Sequence, residues 1–341
     1  MKNILYLSIV IFFLVSCANN DDTTKKYNPT PYQFSSQIPE RDFPIYIPDD
    51  NPLTVEGVEL GQKLFNEKLL SVDKSLSCTS CHNPEKAFAS NNQFDEGFQG
   101  KKLTSNTMSL TNLLFNVYLG WEGQSTSLED AIIHTVESPD EFHEDWDNVI
   151  VKLKDAGYSN LFFDAFGTTD ISKELVSKAI AQYLRSNISL NSKFDKAYYN
   201  QDAAGSFTPQ EAAGFQLFMS EIGDCFHCHR VGSFSDNRMH NNGLDANPEE
   251  GYAKYTKESY DIGKYKTVSL RNVAITAPYM HDGRYKTLKE VLDFYSGHVN
   301  SNSPNLDPNM EHLGPIDLTE TEKEAIIAFL NTLTDEKYLD K

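Results

Sequence analysis

Apolar positions along this chain recur mostly at helical spacing, with few convincing runs of alternation. Val58 to Leu70 and Gln210 to Ser220 read as helical segments. The second is announced by Thr208-Pro209, an N-cap followed by a first-turn proline. Lys173 to Leu190 is amphipathic. Near the C-terminus, Thr319-x-x-Glu322 is a capping box, and Ile326, Phe329, Leu330 and Leu333 follow at i, i+3, i+4 and i+7. Ala18 to about Glu40 shows no periodicity and reads as a tether. Asn200 to Phe207 is rich in Gly, Ala and Ser and reads as an interdomain link. The class is mainly α.

Composition narrows the partners. The chain carries 30 Lys+Arg against 49 Asp+Glu, a net charge of -19. Nucleic acid is excluded as a partner, because phosphate binding needs clustered positive charge. A basic protein or a small soluble substrate suits this surface better. Ile4 to Val15 is an apolar run behind Lys2, too short to span a bilayer and suited to a signal peptide. It ends in Leu14-Val15-Ser16-Cys17, which resembles a bacterial lipobox. Residues 1–16 are then a cleaved lipoprotein signal and Cys17 a lipidated N-terminus. Residues 17–40 tether the body to a membrane, on the periplasmic side.

The other four cysteines form one pattern twice: Cys78-Thr79-Ser80-Cys81-His82 and Cys225-Phe226-His227-Cys228-His229. C-x-x-C-H is the attachment signature of c-type haem, with two thiols for the vinyl groups and an adjacent His for the iron. A zinc site built from both pairs would need a loop from Cys81 to Cys225 and would leave both His unexplained. A disulfide framework is the other rival, and domains this large do not need one. Gly61-x-x-Leu64-Phe65 before the first motif and Gly214-x-x-Leu217-Phe218 before the second form an internal repeat. The reading is therefore two cytochrome c-like domains with an interface between them, over residues 41–200 and 201–341, with a covalent haem in each.

Several further blocks resemble the bacterial dihaem cytochrome c peroxidase superfamily, which includes the MauG-type enzymes. They are Trp121-Glu122-Gly123 with Ser127-Leu128-Glu129, Pro139-Asp140-Glu141-Phe142, Asn191-Ser192-Lys193-Phe194-Asp195, and Leu270-Arg271-Asn272-Val273 through Pro278-Tyr279-Met280-His281-Asp282-Gly283. The resemblance runs from about residue 45 to the C-terminus. It implies a peroxidatic N-terminal haem with His82 as proximal ligand, and a C-terminal relay haem with His229. It implies Trp121 as the bridge between haems and Glu141 as the distal acid/base. His134 and His143 are the nearby rivals for that acid/base role, in a strongly acidic stretch. It further implies one calcium ion on Asn106 and the carbonyls of Thr276 and Pro278. His281 would support the haem surroundings without ligating iron.

Three departures from the family pattern change the expected chemistry. Ala131 stands where a distal Gln is common, which alters the distal hydrogen bonds. Phe98, in Gly97-Phe98-Gln99-Gly100, replaces the distal His that closes many peroxidatic haems, so the first haem is expected to be open in the ferric state. Tyr295 occupies the place of the relay haem's distal Met, as in MauG-type enzymes, with Met280, His281 and His298 as neighbouring rivals. The expected function is reduction of hydrogen peroxide to water with electrons from a small basic cytochrome c or cupredoxin. The alternatives are MauG-like oxidation of a partner protein, or a dihaem electron carrier without turnover.

Overall fold

The computed structural model describes residues 26–35, 38–199, 206–312 and 316–339. The signal segment, Cys17 and most of the Gly/Ala/Ser-rich link lie outside the described residues. The helices of the first half are α1 (Val55–Phe65), α2 (Leu128–Glu137), α3 (Trp146–Asp155), α4 (Ser159–Phe166), α5 (Lys173–Ser186) and α6 (Lys193–Tyr198). The second half supplies α7 (Pro209–Phe218), α8 (Ala253–Thr256), α9 (Leu288–Tyr295), α10 (Pro308–His312) and α11 (Glu320–Asn331). Two short strands, β1 (Met239–His240) and β2 (Tyr265–Lys266), pair antiparallel, Met239 opposite Lys266. The fold is mainly helical, as the periodicity indicates. No helix among the described residues is long and apolar enough to cross a membrane.

The helix ends follow local capping chemistry. Thr54 accepts from the Gly57 amide and starts α1 earlier than the apolar periodicity suggests. That helix closes at Phe65, and a separate turn, Lys68–Leu70, carries the chain on. Helix α5 stops at Ser186, short of Leu190, where Asn187 leaves helical geometry. The Thr319–Glu322 capping box is complete, and Thr208 forms another with Glu211.

The Gly repeat is a packing device. Helix α1 crosses α5, and α7 crosses α11, each time through a glycine. A Cβ on Gly61 would lie 1.9 Å from the Ala179 carbonyl oxygen, and one on Gly214 would lie 1.9 Å from that of Ala325. Only a residue without a side chain permits backbones this close. One core then gathers Leu60, Leu64, Phe65, Val149, Phe162 and Ile180, and another gathers Phe194, Phe218, Phe234, Ile326 and Phe329. Arg271 of the second half reaches Asp195 through two hydrogen bonds, 2.9 and 3.0 Å, both groups buried. Phe43, Leu114, Phe115 and Leu190 form a third cluster, and the Arg271 guanidinium lies 5.1 Å from the Phe43 ring centre.

Candidate active site

Each C-x-x-C-H motif begins as a single tight turn, Cys78–Ser80 and Cys225–His227. The turn folds the His back on the first Cys, with the His82 amide donating to the Cys78 carbonyl at 2.9 Å and His229 to Cys225 at 2.8 Å. The His82 ring Nδ1 is 2.9 Å from the Phe88 carbonyl and 3.2 Å from that of Met108. The His229 Nδ1 is 2.8 Å from the Phe234 carbonyl. A carbonyl can only accept, so Nδ1 carries the proton and Nε2 keeps its lone pair. Burial pushes both imidazoles below their ordinary pKa, so each is neutral. A neutral, oriented imidazole with a free Nε2 is what an iron requires of a proximal ligand.

The cysteines fit the same group and not the rival ones. All four are free, and burial pushes each thiol up to about 12. The two pairs do not converge. Among the described residues, Glu221, Asp224 and His227 are the one set of three such side chains close enough to share an ion. A zinc centre on both cysteine pairs is therefore not formed.

Glu141 lies in the turn after α2, its amide donating to the Ser138 carbonyl at 3.2 Å. Burial raises its carboxyl to about 7, against hydrogen bonds from Ser138 and Thr135 that lower it. Its charge acts on both Cys78 and Cys81, which sets it beside the first motif. The rivals His134 and His143 are exposed. The Phe98 amide donates to the Glu141 carbonyl at 2.9 Å, so Phe98 and Glu141 adjoin. The Phe98 ring stacks on His143 at 4.9 Å. Ala131 packs against the apolar core of the first half.

A cavity of about 260 Å³ lies against the second motif and reaches the first half. Its wall includes Cys225, Cys228, His229, Tyr295, His281 and Trp121, with Leu270, Val273, Leu292, Ile326 and Leu330 as apolar lining. An apolar wall with two thiols and one imidazole at its edge suits a flat porphyrin. Tyr295 is half-buried, its hydroxyl raised to about 12 by desolvation, and it shares the cavity wall with Cys225 and Cys228. The Asn242 Nδ2 donates to its oxygen at 3.1 Å and lies 4.0 Å from the Met280 sulfur. The rival His298 is exposed and bonds the Asp293 carbonyl at 2.9 Å. Asn106, Thr276 and Pro278 all line this cavity. The Asn106 amide nitrogen is committed to the carbonyls of Asn92 and Gln93, at 3.0 and 3.2 Å.

Trp121 and His281 meet where the halves join. Their rings are edge-to-face at 6.5 Å, and His281 stacks on Tyr265 at 3.8 Å. The Trp121 indole donates to the Asn106 carbonyl at 2.8 Å.

The family profile of the di-haem cytochrome c peroxidases matches residues 55–203. The methylamine utilization protein MauG of Methylorubrum extorquens is 35% identical over 85% of this chain and 81% of its own length. The chain belongs to the di-haem cytochrome c peroxidase family. Cytochrome-c peroxidase IdrP1 of Pseudomonas sp. strain SCT is 30% identical over 97% of the chain and 91% of that relative. The crystal structure of a MauG-like protein associated with microbial copper homeostasis superposes with a TM-score of 0.82, 30% identical, over 91% of this chain and 98% of that one. The protein is accordingly a peroxidase-type oxidoreductase of a family that carries two c-type haems.

Within the family frame, the structure brings in residues that motif reading passes over. Asn242 is one, beside Tyr295. A second internal repeat is another, at one constant offset: Ser109, Leu110 and Asn112 answer to Ser269, Leu270 and Asn272. Trp121-Glu122-Gly123 answers to His281-Asp282-Gly283, and Leu128 to Leu288. Asn112 and Asn272 share the left-handed conformation, φ 61° and 63°. The same offset pairs Asn106 with Lys266, and Thr135 with Tyr295. Self-comparison of the sequence at that offset is the signal that exposes them.

Proposed function

We propose that this protein reduces hydrogen peroxide to water at a haem held by Cys78, Cys81 and His82. Electrons enter from a small redox protein at a second haem held by Cys225, Cys228 and His229, and pass by way of Trp121. Bound haem iron supplies the redox chemistry of O–O cleavage. The chain's part is to hold and move protons. Glu141 takes the proton from the near peroxide oxygen and returns it to the leaving one. The observation that carries this reading is the half-buried, desolvated Glu141 carboxyl near Cys78 and Cys81, raised to about 7 and so able to both accept and donate near neutral pH. A simple electron carrier has no use for such a group. Phe98 offers no ligand, which supports a first haem open to peroxide without prior reduction.

Tyr295 favours a second reading. A phenolate ligand stabilises ferric and higher iron states, where a thioether raises the potential. Asn242, donating to the Tyr295 oxygen, favours that anion. This is the chemistry of a MauG-like oxidase that draws electrons from a partner protein. The two readings separate in one experiment. Reduced, basic cytochrome c is mixed with the protein and peroxide. Oxidation of a pair of cytochromes for each peroxide consumed supports the peroxidase. Peroxide consumption with little cytochrome oxidation supports the oxidase, and no consumption overturns both.

The net charge of -19 suits a lysine-ringed donor. A calcium ion on Asn106 and the carbonyls of Thr276 and Pro278 fits oxygen ligands of the types it prefers. Lipidation at Cys17 would hold the enzyme at a membrane, on the periplasmic side. Cys17→Ser should release it into the soluble fraction.

A further inference from the structure

Three cationic side chains line the cavity at the second motif: His240, Arg271 and Lys266. Two of them bring their own carboxylates. His240 lies between Asp236 at 2.8 Å and Asp307 at 2.6 Å. Arg271 holds Asp195 at 2.9 Å. Lys266 is only 5% exposed, and its ammonium has no hydrogen bond or ion pair among the described residues. An ammonium taken out of water without a counter-charge is costly, and lysines are rarely buried unless paired. Desolvation alone acts on it, pushing it down to about 7. The contrast with Asn106, its counterpart in the first half, is informative, because Asn106 is satisfied by two backbone carbonyls.

We propose that Lys266 is the docking cation for a propionate of the haem carried by Cys225, Cys228 and His229, a positioning residue that sets that haem's orientation and reduction potential. The inference rests on the haem reading of the second motif and deepens it. A c-type haem has two carboxylates, on the edge of the porphyrin remote from the vinyl groups that take the thioether bonds. Lys266 lines the same cavity as Cys225, Cys228 and His229. On that wall it accompanies Trp121, Asn106 and His281, the residues of the junction. Its amide donates to the Trp121 carbonyl at 2.8 Å, so a propionate paired with it is carried to the junction of the halves.

The test compares the holoprotein with Lys266→Met, Lys266→Gln and Lys266→Arg. Haem content comes first, by pyridine haemochrome. A wild type without haem at the second motif overturns the haem reading itself. With both haems present, spectroelectrochemistry reads the second haem's midpoint potential, and resonance Raman reads its propionate bending band. Removing the ammonium favours the more positive ferric state. Met and Gln should therefore lower the potential by at least a tenfold change in the reduction equilibrium, 59 mV for one electron. Both should shift the band, and Arg should move each by less than half as much. Neutral variants that lose the second haem while Arg keeps it also support the pairing. An unchanged potential and band in loaded Met or Gln variants overturns it, as does loss of haem from all three.

Discussion

The two halves share a scaffold and differ where a haem's open face would be. Both carry a glycine crossing, a tight Cys turn, a His fixed by a backbone carbonyl, and an Asn in left-handed geometry. The contrast begins at the end of one matched helix. In α2, Thr135 supports a carboxyl in the following turn, Glu141. In α9, the matched residue is Tyr295, which faces the second motif itself. On the proposed function, the carboxyl of the first half carries protons and the phenol of the second half ligates iron. The acid of the first half thus follows the matched helix and the phenol of the second half stands at its end, while the shared parts are those around the two Cys motifs.

The sharpest way to break this comparison is Glu141→Gln. It should lower peroxide turnover by ~10²–10⁴-fold with both haem spectra intact. In the wild type, kcat/KM for peroxide should rise as pH passes upward through about 7, because the carboxylate is the form that accepts the proton. The variant should lose that inflection. Retained turnover would move the acid/base role to an exposed histidine. Stability should follow the same group with opposite sign: its contribution, complete below its ordinary 4.5, is lost as pH rises through about 7. Chemical denaturation of wild type against the variant across that window reads it.

Tyr295→Phe comes next. It should alter the spectrum of the second haem alone, leaving that iron five-coordinate or water-bound. A sulfur-to-iron charge-transfer band that survives Tyr295→Phe and vanishes in Met280→Leu would assign the ligand to Met280.

Gly61→Ala and Gly214→Ala sharpen the shared side of the comparison. Each should cost about 1–3 kcal/mol in denaturant unfolding, because the new methyl meets a backbone carbonyl. A silent Gly214→Ala would mean that α7 and α11 part more easily than α1 and α5. Smallest is the cap pair. Ser127→Ala and Thr287→Ala each remove an N-cap worth about 1 kcal/mol. Thr287→Ala should cost a few tenths more, roughly, because it also breaks a reciprocal capping box with Glu290.

What the sequence revealed was governed by chemistry at fixed spacing. Covalent haem attachment needs two thiols and a His within one turn, so both motifs stand out. The Gly-x-x-Leu-Phe repeat was visible because a close crossing tolerates one residue type. The residues of the second repeat were hidden by their differences: Trp against His, Asn against Lys, Thr against Tyr. Lys266 reads as an ordinary surface lysine, because its burial depends on segments far apart in the chain. Only the family pattern singles out Glu141, since its acidic neighbours suggest a solvated run. Its separation from them is tertiary: Asp140 pairs with Lys101 and Glu144 with Lys152, while Glu141 is desolvated with no basic partner among the described residues.

At the junction, the Asn106 amide donates to the His281 carbonyl and the Lys266 amide donates to the Trp121 carbonyl, each at 2.8 Å. Asn106 matches Lys266 and Trp121 matches His281, so the two bonds are reciprocal in the manner of an isologous dimer contact. In a true homodimer every substitution would appear on both sides of the axis. Here both sides belong to one chain, so each can mutate alone. The backbone keeps the symmetry while the side chains have given it up, one flank bearing an indole and the other an imidazole. Joining the halves in a single polypeptide thereby gives the junction a direction, which a symmetric pair of identical subunits could not have.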